Sequence, residues 1–192
     1  MFMSRALFLV GWLVPLVALA HTDSAATGTG FVSGLMHPVT GLDHVIAMVA
    51  VGLWGAQLGK PALWLLPIAF PMVMAMGGAA GAAGLPLPGI EIGIAASGLL
   101  LGLAVLGNVR PPLWIAISLV SVFAIFHGHA HGTEMPGFAN PLAYAAGFVI
   151  ATGLLHLSGI AVGVLWRWPH GRWIVRGSGA VIASLGGWFL FA

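Results

Sequence analysis

The sequence predicts an all-α integral membrane protein, with six transmembrane helices behind a cleavable N-terminal signal. Three observations predict it. Hydrophobic residues make up 60% of the 192 and charged residues only 5%, too few to cover a water-soluble surface. Apolar stretches of membrane length are separated by proline, glycine and the rare charges. Residues 1–20 carry Arg5, an apolar run and Ala18-Leu19-Ala20, the pattern of a secretory signal with an A-x-A cleavage site.

Cleavage after Ala20 divides the chain into a signal, 1–20, and a six-helix transmembrane domain, 21–192. It makes His21 the mature N-terminus, where a free α-amine and an imidazole chelate one metal ion together. A Gly/Ser/Thr linker follows from Thr22 to about Gly34. Helices are expected at about 38–59, 62–83, 88–108, 112–130, 141–165 and 173–191. Pro38 suits the first turn of the first helix, where its missing N–H costs nothing. Pro67 and Pro71 should kink the second, and Gly81 to Gly89 reads as a turn. The 29 glycines read as small contact residues that let helices approach closely in lipid.

Lys and Arg favour cytoplasmic loops. With residue 21 outside, Lys60, Arg110, Arg167, Arg172 and Arg176 all fall in inside loops. Asp23, Asp43, Glu91 and Glu134 fall on the outer side, as do His21, His37, His44, His127, His129 and His131, six of the eight histidines. The polar chemistry is therefore expected at the external face, with both mature termini outside. A pI near 10.0 rests on six Lys/Arg against four Asp/Glu, scattered singly, and marks no nucleic-acid surface. Without cysteine there are no disulfides, thiolate metal sites or Cys nucleophiles. No phosphate-binding loop and no H-E-x-x-H is present, so nothing supports ATP-driven transport within this chain or zincin proteolysis.

Two stretches carry the candidate chemistry. In HPVTGLDH, His37 and His44 would share a face of one helix and Asp43 lie about 100° from His44, so one cation could reach at least two of them. The alternative is a buried His–Asp pair that only fixes packing, or an Asp43 that orients a ligating His44. In FHGHAHGTE, which ends at Glu134, His127 and His131 are i, i+4 neighbours if the helix persists, and the i, i+2 spacing of an extended chain puts all three histidines together if glycine unwinds it. Nitrogen and oxygen donors of this kind suit Ni²⁺, Co²⁺, Zn²⁺ or Mn²⁺. Lesser candidates are Glu91, equally readable as a carboxylate favoured by its helix N-terminus, and His156, the deepest ionisable group, a stepping site or a packing histidine. Met48, Met72 and Met76 read as packing before copper ligands, and His170 as solvated.

HPVTGLDH, with the VIAM that follows it, and FHGHAHGTE together resemble the HupE/UreJ family of hydrogenase- and urease-associated membrane proteins, regarded as nickel and cobalt permeases. The resemblance covers the whole chain. It implies that His37, Asp43, His44, His127, His131 and Glu134 are functional, with transported Ni²⁺ or Co²⁺ as substrate and no permanently bound cofactor. The expected protein is a non-enzymatic permease of the bacterial inner membrane, its termini periplasmic, with lipid and the metal ion as its partners and no nucleic acid. His129, His131, Glu134 and His21 would collect the ion, and His37, Asp43, His44 and His127 would bind it in the outer third. Neutral imidazole is the ligand form, so uptake is expected to fall below about pH 6. A membrane-embedded metalloenzyme and a metal-delivery partner are the competing readings.

Overall fold

The computed structural model describes residues 30–134 and 140–192. The expected signal and His21 lie outside the described residues. Within them the chain is helical and without strands: α1 Gly30–Thr40, α2 Leu42–Leu58, α3 Ala62–Ala82, α4 Ile90–Gly107, α5 Leu113–Thr133, α6 Pro141–Gly163 and α7 Pro169–Phe191, with a 3₁₀ turn Val164–Arg167 after α6. The helices α3 to α7 are each long and apolar enough to cross a membrane, and α1 with α2 makes a sixth crossing only as a pair bent by 82°. The protein is multi-pass.

That bend corrects the expected first span. Its helix begins at Gly30, inside the expected linker, runs through Pro38 and stops at Thr40. Gly41 is extended, with φ −94° and ψ 110°, and α2 starts at Leu42. Pro38 removes a single rung near the end of α1, which the helix tolerates. Side chains take over the backbone groups freed around the break. The Thr40 hydroxyl donates to the His37 carbonyl at 2.8 Å, and Asp43 Oδ1 accepts the His44 N–H at 2.9 Å. His37 and His44 therefore do not share a helix face.

At the centre stands α2, packed against α3, α4, α6 and α7. Met48, Val51, Leu53 and Trp54 are all buried, as a helix apolar on every side requires. Its far end is fixed by Trp54 Nε1, donating to the Val109 carbonyl at 2.9 Å, and Gln57 Nε2, donating to that of Val105 at 3.0 Å. Around it α3 pairs with α5, α4 with α7, and α6 with both α1 and α2.

Glycine makes these pairings close. A Cβ at Gly128 of α5 would strike the Met74 carbonyl of α3, and one at Gly132 the Gly78 carbonyl. Backbone lies on backbone there, the packing by which helices associate in lipid. α6 opens on Asn140, whose Oδ1 accepts from Leu142 N at 3.0 Å and Ala143 N at 3.1 Å, with Pro141 in the first turn. Pro169 starts α7 in the same way, four residues earlier than expected. α3 stays helical through Pro67 and Pro71.

Candidate metal centre

The histidines gather where α1 ends, α2 begins and α5 ends. On α5 the helix persists to Thr133, so of the two geometries open to FHGHAHGTE it takes the helical one. Gly128 and Gly132 hold one face against α3, and the residue before each glycine, about 100° round the helix, points elsewhere. Those residues are His127 and His131.

His131 meets His37 of α1 with ring centroids 4.7 Å apart, and His44 of α2 at 4.4 Å. His44 in turn meets His127 at 4.7 Å. The four imidazoles form a file, His37, His131, His44, His127, drawn from three helices. Glu134 joins at its head, with Oε2 3.1 Å from His37 Nε2. His37, His131 and Glu134 each offer a donor atom within 4.8 Å of the other two, the spread one ion could gather. Side-chain exposure falls from 50% at Glu134 and 25% at His37 to residue exposures of 5% at His131 and 0% at His127. The file thus runs from the surface into the core.

The protein fixes which nitrogen each deep ring presents. Asp43 Oδ1 lies 2.8 Å from His44 Nδ1; a carboxylate only accepts, so Nδ1 carries the proton and Nε2 keeps its lone pair. Asp43 itself sits in the first turn of α2, where the helix dipole favours a negative charge. At His127 the partner is Ser97 of α4, buried and not foreseen from the sequence. The Ser97 hydroxyl gives its one proton to the Ile94 carbonyl at 2.6 Å, so it accepts the Nε2–H of His127 at 2.8 Å and leaves Nδ1 bare. His44 Nε2, His127 Nδ1 and both nitrogens of His131 are buried without a hydrogen-bond partner among the described residues. Each such atom costs about 1–3 kcal/mol. Imidazole lone pairs oriented by a carboxylate or hydroxyl are what a borderline transition-metal ion binds.

Other expected residues stand apart. His129, on the side of α5 away from the file, donates from Nε2 to the Leu85 carbonyl at 2.6 Å and ties α5 to the loop between α3 and α4. Glu91 is exposed in the first turn of α4 and is not among the grouped donors. Met72 and Met76 face outward, and His170 is exposed. His156 of α6 is buried outside the file, and the Phe70 ring lies 5.6 Å from His127 and 5.5 Å from His156. Beside the file a cavity of about 310 Å³ lies between α3, α5 and α6, bordered by His131 and Tyr144 and otherwise almost wholly apolar.

A family model described as HupE / UreJ protein matches residues 8–189. Protein HupE of Rhizobium leguminosarum bv. viciae is 43% identical over 173 residues, 90% of this chain and 90% of that protein. No solved structure matches the chain.

Proposed function

The chain belongs to the HupE/UreJ family, and from that premise we propose that it carries a divalent transition-metal ion, Ni²⁺ before Co²⁺, across the inner membrane from periplasm to cytoplasm. One observation carries the reading: four imidazoles from three helices, in file from surface to core, with lone pairs held bare.

Glu134, His37 and His131 take the hydrated ion at the periplasmic face and exchange part of its water for nitrogen and carboxylate donors. His44 and His127 receive it deeper, their rings held by Asp43 and Ser97. Neighbouring rings make each transfer a short exchange of ligands, and no donor set closes round the ion so completely that it cannot leave. His156 continues the path. His21, at the mature terminus left by signal cleavage, collects the ion from solution. The metal is cargo, and the chain is a transporter that makes and breaks no covalent bond. An inside-negative potential drives a divalent ion inward by about 4.6 kcal/mol per 100 mV, twice the single-charge value, so no nucleotide is needed.

The test is Ni²⁺ uptake into proteoliposomes holding the purified chain under an inside-negative potential, with Co²⁺, Zn²⁺ and Mn²⁺ as competitors, beside Asp43→Ala. Uptake in the parent that collapses in the variant supports the permease. A tightly retained stoichiometric metal with no uptake overturns it in favour of a metalloenzyme or a delivery protein.

A further inference from the structure

Beyond Phe70 lies a second cluster of polar atoms that the file does not use. Thr152 and His156 sit one turn apart on the same face of α6, and exposure is 0% and 1%. Thr152 Oγ1 has no hydrogen-bond partner among the described residues, and the His156 ring is reached only by a backbone carbonyl, that of Pro67, which leaves one of its nitrogens bare. A threonine in a helix ordinarily bonds its hydroxyl back to the preceding turn, and a buried imidazole ordinarily finds a neighbour. A bare hydroxyl and a bare imidazole nitrogen, deep in an apolar bundle, are costly to keep for packing alone.

Two further features converge on them. The Pro67 carbonyl lies beside the His156 ring, and Pro71, lacking an N–H, cannot bond it in the helix. That carbonyl is therefore left to accept a His156 N–H, which holds the ring and leaves the other nitrogen to face outward from it. Phe70 stands on the same stretch of α3 between the two prolines, fully buried, with its ring in contact with those of both His127 and His156. Phe70 is thus a ring that the inner end of the file and His156 both touch. The missing rungs at Pro67 and Pro71 make this the part of α3 whose backbone is held least by its own hydrogen bonds.

We propose that Thr152 and His156, its ring held by the Pro67 carbonyl, form a second station for the same divalent ion, and that the Phe70 ring is the barrier between it and the four-histidine file. The proposal rests on the transport reading and deepens it. The file loads the ion, Phe70 moves aside, and the second station takes it before release. A hydrophobic ring between the two sites also keeps the path dry between transfers.

The experiment uses the full chain in detergent and in proteoliposomes, with Ni²⁺ as probe. Equilibrium dialysis counts bound ions, and uptake is measured for His156→Ala, for the bulk-preserving His156→Gln, for Thr152→Val and for Phe70→Ala, each first checked for monodispersity and melting. The parent is expected to bind two ions. His156→Ala and His156→Gln keep the ion bound at the file within about threefold in affinity, lose the second, and lose uptake by at least about tenfold. Thr152→Val loses uptake by several-fold, and Phe70→Ala raises it at least about threefold by removing the barrier. Parent-level uptake and unchanged stoichiometry in both His156 variants overturn the second station, and unchanged or lower uptake in a folded Phe70→Ala overturns the barrier. Failure of the transport reading is distinguishable, because there the parent itself takes up no Ni²⁺.

Discussion

Gly41→Ala separates the chemistry of the histidine file from the stability of the fold. At φ −94° and ψ 110° any residue can stand, so the backbone does not require glycine. What requires it is space. A Cβ there would lie 2.9 Å from Asp43 Oδ1 and 3.0 Å from His44 Nδ1, against an ordinary contact of at least 3.4 Å, so both atoms must retreat by 0.4–0.5 Å at once. Their own hydrogen bond is 2.8 Å long and is what turns His44 Nε2 toward the file. Weakening the carboxylate that orients a ligating imidazole costs about 10–100-fold in metal affinity, about 1.4–2.8 kcal/mol. Removing glycine's freedom from the unfolded chain contributes about 0.4–1 kcal/mol to stability and offsets part of the cost of displacing those two side-chain ends. Affinity should therefore fall while the melt changes little, which no general loosening of the protein would produce. Calorimetry with Ni²⁺ and a thermal melt read the two together. Gly153→Ala, with nothing within 4 Å of its added Cβ, is the control and should leave affinity unchanged. Affinity within about twofold of the parent in a folded Gly41→Ala would refute the role given to the Asp43–His44 pair.

Ser97→Ala frees His127 to rotate and leaves its buried Nε2 unpaired, so it should lower Ni²⁺ affinity by about tenfold and stability by about 1–3 kcal/mol, read by the same calorimetry and melt. His129→Ala should lose stability alone: without the bond to the Leu85 carbonyl the chain is destabilised by about 1–2 kcal/mol in a denaturation measurement, and affinity stays within about threefold. Gly128→Ala drives a methyl into the Met74 carbonyl and should cost about 1–3 kcal/mol of stability, whereas Gly78→Ala, whose Cβ meets the Gly128 carbonyl at an ordinary 3.4 Å, should be tolerated. Thermal melts of the two variants side by side decide it.

The helices α3 to α7 were legible because long apolar runs bounded by proline and glycine permit little else in a membrane. The first crossing was not, because Pro38 and Gly41 are both breakers three residues apart and the choice between them depends on tertiary detail. Pro38 is buried within α1, while Gly41 lies against Asp43 and His44. The same kind of limit governs the site. His37, His44, His127, His131 and Glu134 announced themselves as polar groups in an apolar chain, and the structure does bring them together. Neither pattern could say that His129 would turn away, since glycine left the helix at FHGHAHGTE open to question. Ser97, Phe70 and Thr152 were illegible because each is an ordinary membrane-helix residue until a distant helix sets a histidine beside it.

On α5 the surface that grips a neighbouring helix and the surface that lines the file advance by the same step, His127-Gly128 followed by His131-Gly132. The two are locked into one reading frame. A residue gained or lost between His127 and Gly132 rotates the later half by about 100° against the earlier: a gain brings His131 where a glycine must touch backbone, and a loss brings Gly132 where a ligand is needed. No repacking of side chains repairs such a slip. Individual letters of this stretch can be exchanged and each exchange judged on its own contacts, but its length cannot drift.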